Sequence, residues 1–277
     1  LWTANDEGPK VRFRQYDTAY EEADAIIRDI EREKEEKNAE YSDFAVLYRT
    51  NAQSRLLEEK CIYYSIPYRL VGGVNFYQRK EIKDILCYLK TIANGRDDLA
   101  VQRVINVPKR GIGATSIGKV TIYASANGMS FYDALLRVRG VPTIGKAADK
   151  IEKFTEQIEN FRSRLSDLSI PELIEAILEE TGYKKDLEAE GEIEGETRLQ
   201  NVEELVNKAT GYMSTAEEPT LDGFLEEVAL VADVDSLDES ENRIVLMTLH
   251  GAKGLEFPYV YLSGMEDGLF PSSMSIF

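Results

Sequence analysis

The stretch RIVLMTLHGAKGLEFPYVYL, residues 243–262, decides the fold because it places two strand patterns near the end of a chain whose middle is helical. Its first and last parts are runs of apolar and β-branched residues, which are typical of strands. Between them lie His250, the only histidine of the chain, and Lys253 flanked by Gly251 and Gly254. The pattern predicts two strands joined by a polar loop whose role has to be found.

The first third of the chain has strand patterns of the same kind, alternating with helix patterns. The strand patterns are KVRFRQY at 10–16, DFAVLYR at 43–49 and PYRLVG at 67–72. The helix patterns lie at residues 17–37, 51–65 and 79–94. We expect Thr18 and Asn51 to cap the first two helices. Strands that alternate with helices of this length indicate a parallel α/β sheet.

Between about residue 97 and residue 233 the strand patterns disappear and helical periodicity dominates. The clearest stripe recurs at intervals of three and four residues and comprises Ile144, Ala147, Ile151, Phe154, Ile158, Phe161 and Leu165. Because strand patterns return near residue 242, we expect an α/β domain that is interrupted by an inserted all-α domain. The predicted bounds are 1–93 and 240–277 for an incomplete α/β sheet domain, and 94–239 for the helical insertion.

Composition limits the possible classes of protein. The 277 residues are 43% hydrophobic and 30% charged, which is typical of a soluble globular chain. Two distant cysteines and one histidine give no cluster of metal ligands and favour a cytoplasmic protein with free thiols. No apolar run approaches the roughly 18 residues that a membrane span needs, so no membrane partner is expected.

The net charge of −17 argues against nucleic-acid binding by the whole surface, but the charge is uneven. Residues 101–150 hold eight Lys or Arg against two Asp or Glu, whereas residues 151–240 hold seven against 25. A basic block can bind a polyanion while the acidic helices repel it. We also expect that the acidic helices could bind a protein partner.

The basic block contains NVPKRGIGATSIGKV, residues 106–120. Lys109 and Arg110 precede a Gly111-Ile112-Gly113 turn between two helix patterns, and such a turn can direct backbone N–H groups at a phosphate. The alternative is a plain turn between helices, in which glycine only supplies positive φ.

Two other segments have both a functional and a structural interpretation. In LVGGVNFYQRKEIKD, residues 70–84, aromatic and basic residues alternate as in sites for single-stranded nucleic acid, although Phe76 and Tyr77 are more often core residues. In LYRTNAQSR, residues 47–55, polar groups follow a buried strand, where parallel sheets bind ligands. For the loop around His250, the Walker A order G-x-x-x-x-G-K-[ST] is absent here and throughout the chain, and spacing alone favours a turn.

Taken together, four segments resemble the UvrD/PcrA family of superfamily 1 DNA helicases over nearly the whole chain. They are FAVLYRTNAQSRLLEE, GGVNFYQRKEIKDILCYLK, NVPKRGIG and, most specifically, VLMTLHGAKGLEFPYVYLSGMEDGLFP. The resemblance implies a RecA-like motor domain, called 2A, which is interrupted by a helical domain, called 2B. It also implies an ATP-dependent 3′–5′ DNA helicase that acts in DNA repair or replication.

The resemblance assigns roles to particular residues. Those implied to contact single-stranded DNA are Arg49, Asn51, Thr248 and His250. Those implied to lie at the ATP cleft and to couple it to DNA are Lys253, Gly254 and Glu256. Those implied to bind duplex DNA are Lys109, Arg110, Gly111 and Gly113. The partners implied are therefore single-stranded and duplex DNA.

The resemblance also implies that ATP and Mg²⁺ act in the full-length enzyme, with no complete catalytic site and no bound cofactor in this chain. The phosphate loop, the Mg²⁺ carboxylates and the arginine-bearing motif of the family are not found, so we expect a fragment that does not hydrolyse ATP by itself. Two alternatives stay open at this point. One is a regulatory module that binds DNA and protein, and the other is a helicase-like subunit of a recombination nuclease complex.

Overall fold

A computed structural model describes residues 8–234 and 242–270 of the chain. The chain divides into two compact units. The first, here called the α/β unit, comprises residues 1–49, 56–71 and 240–277. The second, here called the helical unit, comprises residues 50–55 and 72–239.

The α/β unit is built on a parallel sheet of four strands in the order β2-β3-β1-β4. The strands are β1 Phe44–Tyr48, β2 Tyr68–Val71, β3 Ile244–Thr248 and β4 Tyr259–Leu262. Val46 of β1 is paired with Leu246 of β3, although 200 residues separate them in the chain. The predicted parallel α/β sheet and the return of the strands after residue 242 are thereby confirmed.

All five residues of β1 are buried because apolar clusters cover both of its faces. One cluster contains Val46 and Leu246 together with residues of α1, Ala19–Lys37, and α2, Ser54–Tyr63. The cluster on the other face is smaller and contains Leu47 and Met247. A continuous apolar run, rather than an alternating one, is what such a doubly covered parallel strand requires.

Helix α1 begins as its sequence predicts. The Thr18 hydroxyl accepts a hydrogen bond from the backbone N–H of Glu21 (3.1 Å), and this bond satisfies one of the otherwise unpaired donors of the first turn. The inward face of α1 is buried and comprises Ala23, Ile26, Ile27 and Ile30.

The predicted strand at residues 10–16 is wrong, because residues 8–16 form neither strand nor helix. Arg12 donates to Glu33 (2.8 Å) and Arg14 donates to Asp29 (3.1 Å). Alternate residues of an extended chain and residues four apart on a helix have similar spacings, near 6–7 Å, so the two arginines match two acids on one face of α1. Val11 and Phe13 lie between them and are 99% and 81% exposed.

The helical unit holds the remaining helices of the described residues around one apolar core. They are α3 Lys80–Ala93, α4 Asp98–Val104, α5 Ala114–Ala126, α6 Phe131–Leu136, α7 Ala147–Ser163, α8 Ile170–Thr181, α9 Tyr183–Glu188, α10 Glu192–Thr215 and α11 Leu221–Val234. The predicted apolar stripe lies on α7 and its flanks, and its members either are buried or pack against this core.

Helix α3 lies in the helical unit, although the sequence pattern predicts that the first α/β segment extends to residue 93 and so includes this helix. Its buried residues, among them Ile85 and Leu89, join the same core as those of α7 and α10. Phe76 and Tyr77 are also in this core, so the structural interpretation of these two rings is the right one. The functional boundaries at 93/94 and 239/240 stay predictions.

Candidate nucleic-acid interface

The carboxyl edge of the sheet brings together three of the four residues that were predicted to contact single-stranded DNA. Strands β1 and β3 are parallel neighbours and end at Tyr48 and Thr248, so the residues after them emerge at the same edge. The N–H of Leu249 donates to the carbonyl of Tyr48 (2.8 Å) and extends the pairing by one bond. Arg49 and His250 then meet, with 2.9 Å between Nη1 and Nδ1.

The loop that follows β3 is a series of turns rather than an open phosphate loop. The Thr248 hydroxyl accepts from the N–H of Gly251 (3.2 Å), and the Thr248 carbonyl accepts from the N–H of Ala252 (3.1 Å). Leu249, Ala252 and Phe257 pack against the smaller cluster of the sheet. These contacts hold the loop at both ends while His250 is exposed.

The residues that were predicted to face the nucleotide occupy the exposed part of this loop. Lys253, Gly254 and Glu256 are all exposed. Gly254 has a φ of +85°, which an L side chain rarely adopts, so the backbone at this point favours glycine. The loop therefore has His250 near its start and Lys253 and Glu256 near its end, and it can offer groups to two different ligands.

Asn51 lies in the helical unit, in the 3₁₀ turn Asn51–Gln53. It is not the cap that the sequence predicted, because the N-cap of this turn is Thr50, whose N–H donates to Gln53 Oε1 (2.9 Å). The Asn51 side chain lies against Gly73, where an added Cβ would be 3.5 Å from Oδ1. Asn51 thus lines a concave pocket of about 700 Å³.

The floor of that pocket is a buried polar network. Arg79 donates to Ser54 Oγ and to Asn201 Oδ1, each at 2.8 Å, and Asn201 donates to Glu81 (2.6 Å). All four side chains are less than 9% exposed. Three of the aromatic and basic residues at 76–80, namely Phe76, Tyr77 and Arg79, are therefore buried. Arg79 links the start of α3 to α10.

Arg110 of the Gly-Ile-Gly segment is directed into its own loop. Its guanidinium donates to the carbonyls of Val104, Ile105, Val107 and Pro108 at 3.0–3.4 Å. It also donates to Tyr88 Oη (2.7 Å) and lies 5.2 Å from the ring centre of Phe154. Nothing in the local sequence distinguishes this arginine from the exposed Lys109 beside it.

The Gly-Ile-Gly turn itself presents backbone groups at the start of α5. Gly111 has a φ of +69°, and its carbonyl accepts from Lys150 (3.0 Å). Ile112 is buried and anchors the turn, while both glycines are exposed. Gly113 is the N-cap of the 13-residue helix α5, and no side chain of the described residues caps it. The first N–H groups of α5 and the positive end of its dipole are therefore suited to a phosphate.

Part of the acidic charge of the helical unit is neutralised within that unit. Glu179 pairs with Lys184, Glu180 with Arg164 and Glu204 with Arg55, at 2.6–3.0 Å. The predicted protein partner of these helices stays a prediction.

No complete nucleotide or metal site is formed by residues 8–234 and 242–270. Two segments, 113–119 and 140–146, read G-x-x-x-x-G-K, but Val120 and Ala147 stand where the phosphate loop has Ser or Thr. The first lies within α5 and the second precedes α7, so neither follows a strand. In the same ranges, no group of three or more His, Cys, Asp or Glu could hold a metal ion.

No helix in the described part of the chain is both long and apolar enough to cross a membrane.

Comparison with known proteins identifies the family. The sequence profile of the UvrD-like helicase C-terminal domain matches residues 1–277. The chain is 44% identical over 282 residues to the ATP-dependent DNA helicase PcrA of Bacillus subtilis strain 168, and 43% identical over 278 residues to the protein of that name in Staphylococcus epidermidis RP62A. The PcrA of Staphylococcus aureus Mu50 is 44% identical over 279 residues.

Each of these alignments covers 100% of the chain and 38% of the relative. The chain thus spans somewhat more than a third of the length of these helicases. The resemblance to UvrD/PcrA helicases that the sequence motifs indicated is confirmed. The chain belongs to the family of UvrD-like helicase C-terminal domains.

Proposed function

We propose that this chain is the DNA-engaging and nucleotide-coupled part of an ATP-dependent 3′–5′ DNA helicase. The observation that carries the proposal is the contact of Arg49 with His250 at the carboxyl edge of a parallel sheet. His250 lies on a loop that also bears Lys253 and Glu256. Ligands of open α/β sheets bind beyond the carboxyl ends of the strands. The curated relatives are named ATP-dependent DNA helicases, which supports the same function.

In this proposal, Arg49, Thr248 and His250 contact single-stranded DNA from the α/β unit, which acts as a RecA-like motor domain. For Asn51, which lies in the helical unit, contact with single-stranded DNA is proposed from the family resemblance alone. Arginine and histidine N–H groups and a threonine hydroxyl are the donors that protein sites commonly offer to phosphate oxygens.

Lys253, Gly254 and Glu256 form this chain's side of the nucleotide cleft in the proposal. The described residues do not fit a site for a triphosphate or for Mg²⁺, so the ATP and Mg²⁺ requirement belongs to the whole helicase. In the proposal, the exposed loop that bears both His250 and Glu256 links the two ligands, since successive turn hydrogen bonds join residues 248–255.

The first prediction concerns catalysis by the 277-residue chain. Because a phosphate loop and Mg²⁺ ligands are needed for phosphoryl transfer, we expect purified chain with Mg²⁺, ATP and single-stranded DNA to release no phosphate above a no-protein blank. Phosphate release can be followed with a coupled absorbance assay. Helicase-like turnover, on the order of 1 s⁻¹ or faster, that co-elutes with the chain on gel filtration would refute the proposal of half a cleft.

In the proposal, duplex DNA is bound by residues 109–113, which comprise Lys109, Arg110 and the Gly-Ile-Gly turn. Lys109 supplies an exposed charge, and Gly111 and Gly113 allow the backbone to approach a phosphate at the start of α5. Arg110 holds the loop that presents these groups.

The second prediction tests this surface through Lys109→Glu. Loss of one phosphate contact should reduce the magnitude of the negative slope of log K against log salt for duplex DNA by about 1. Binding to single-stranded DNA should be unchanged. Fluorescence anisotropy between about 50 and 200 mM salt measures both. Lys153→Glu, at an exposed position of α7, serves as a matched charge reversal. Equal duplex slopes for wild type and Lys109→Glu would remove Lys109 from the interface.

A further inference from the structure

We propose that Arg49 is a positioning residue that fixes the tautomer of His250, so that the imidazole offers its Nε2–H as a neutral donor to an acceptor atom of single-stranded DNA. This inference rests on the proposed function, which places His250 at the DNA. It adds the protonation pattern of the imidazole and the kind of atom that the imidazole contacts.

The tautomer follows from the chemistry of the two partners. An arginine guanidinium has only N–H donors and stays charged in proteins. Nδ1 of His250, 2.9 Å from Arg49 Nη1, must therefore accept. A nitrogen that accepts carries no proton, so the proton of the neutral ring is on Nε2.

The backbone on both sides holds this pair in place. Leu249, one residue before His250, donates to Tyr48, one residue before Arg49 (2.8 Å). The carbonyl of His250 accepts from the N–H of Lys253 (3.4 Å). The distance between the two side chains is thus set by the register of β1 and β3 and by the turn after β3.

The exposed position of His250 determines what this arrangement can bind. With Nδ1 occupied by Arg49, the polar group that the ring offers outward is Nε2–H. A single neutral donor recognises an acceptor, which in DNA is a phosphate oxygen or a ring or carbonyl acceptor of a base. Because the ring is neutral, its contact releases no counterion, in contrast to a contact made by Arg49.

The first arm of the test uses the fact that His250 is the only histidine, so its two ring nitrogens give the only imidazole signals of an untagged ¹⁵N-labelled chain. Spectra are recorded about two pH units above the usual range of imidazole titration. Wild type should show the Nε2–H form, with Nδ1 as acceptor. Arg49→Ala should raise the ratio of Nδ1–H to Nε2–H about tenfold, the factor expected from a charge-assisted hydrogen bond.

Arg49→Lys is the conservative control, because an ammonium can also donate to Nδ1, and it should restore most of the wild-type ratio. A protonated Nδ1 in wild type, or identical ratios in wild type and Arg49→Ala, would overturn the inference. Unchanged backbone shifts of β1 and β3 in each variant show that the edge is intact.

The second arm measures binding to single-stranded DNA. The amide of His250→Gln has its N–H₂ near the place of Nε2, whereas that of His250→Asn lies near Nδ1. We expect Gln to bind within about threefold of wild type and Asn to bind about tenfold more weakly, with neither variant changing the salt slope. Arg49→Gln should reduce the magnitude of that negative slope by about 0.7.

Modified oligonucleotides distinguish the two sources of the acceptor. If it is a phosphate oxygen, the difference between Gln and Asn persists on abasic DNA and shrinks on methylphosphonate DNA. If it is a base, the reverse holds. Should wild type and both His250 variants bind all probes equally, His250 is not at the DNA and the proposed function of this edge fails, while the Arg49 effect on the ring signals still stands as a separate result.

Discussion

Replacing Arg110 by alanine is expected to destabilise the helical unit by about 3 kcal/mol, although its neighbour in the Gly-Ile-Gly segment can be changed with little effect on folding. Nη1 of the guanidinium, which has two N–H groups, is shared among four carbonyls within residues 104–108, and Nη2 donates to the hydroxyl of Tyr88. Truncation leaves these part-buried acceptors without that donor, and each such group costs about 1–3 kcal/mol unless water reaches it. It also removes the contact with the ring of Phe154.

Urea unfolding followed by circular dichroism measures the effect, since the loss should be seen in the helical signal. Lys109→Ala is the matched control, because Lys109 is exposed and its removal should change the free energy of unfolding by less than about 0.5 kcal/mol. Similar stabilities for Arg110→Ala and Lys109→Ala would show that the guanidinium does not hold the loop.

This difference affects how DNA binding is tested. A double charge reversal at Lys109 and Arg110 would disturb the loop and remove a surface charge together, so a loss of duplex affinity would have two causes. Lys109→Glu separates them, because only the exposed charge is changed.

Replacing Asp84 by alanine is expected to destabilise the helical unit by about 3–5 kcal/mol. Asp84 lies on α3 and is 1% exposed. Its two carboxylate oxygens accept from Arg103 Nε of α4 and from Tyr183 Oη of α9, each at 2.6 Å. Burial raises the pKa of Tyr183 above its ordinary value, so the phenol remains a donor that would lose its acceptor.

Hydrogen exchange resolved by peptide mass spectrometry shows where stability is lost. Peptides of α3, α4 and α9 should lose protection in Asp84→Ala, while those of β1 and β3 should keep it. Asp84→Asn retains one oxygen acceptor and should lose less than half as much stability. Equal loss of protection in β1 and β3 would contradict the assignment of α3 to the helical unit.

The sheet could be predicted because its two central strands are apolar along almost their whole length. β1 and β3 are continuous apolar runs, and a strand covered on both faces needs that composition. The cap at Thr18 followed from local chemistry in the same way. The contact between Arg49 and His250 follows from two parallel strands that end at one edge of the sheet, once the order of the strands is known.

Features that depend on distant partners could not be predicted. The arginines at 12 and 14 pair with acids on α1, and residues 8–16 do not form the expected strand. The apolar face of α3 shows that this helix is packed but not which core receives it. Lys109 and Arg110 are adjacent cations, and only the path of residues 104–108 gives the second an internal role.

The central claim, that this chain engages single-stranded and duplex DNA through two separate surfaces, is tested most directly by binding of a duplex with a 3′ single-stranded tail. Anisotropy across a salt series would be measured for wild type, Lys109→Glu and Arg49→Gln, with the isolated duplex and the isolated tail as reference probes. We predict that Lys109→Glu makes the salt dependence of binding shallower on the tailed DNA and the isolated duplex only. Arg49→Gln should make it shallower on the tailed DNA and the isolated tail only. If both substitutions weaken both reference probes equally, or neither changes any slope, the claim of two DNA surfaces is wrong.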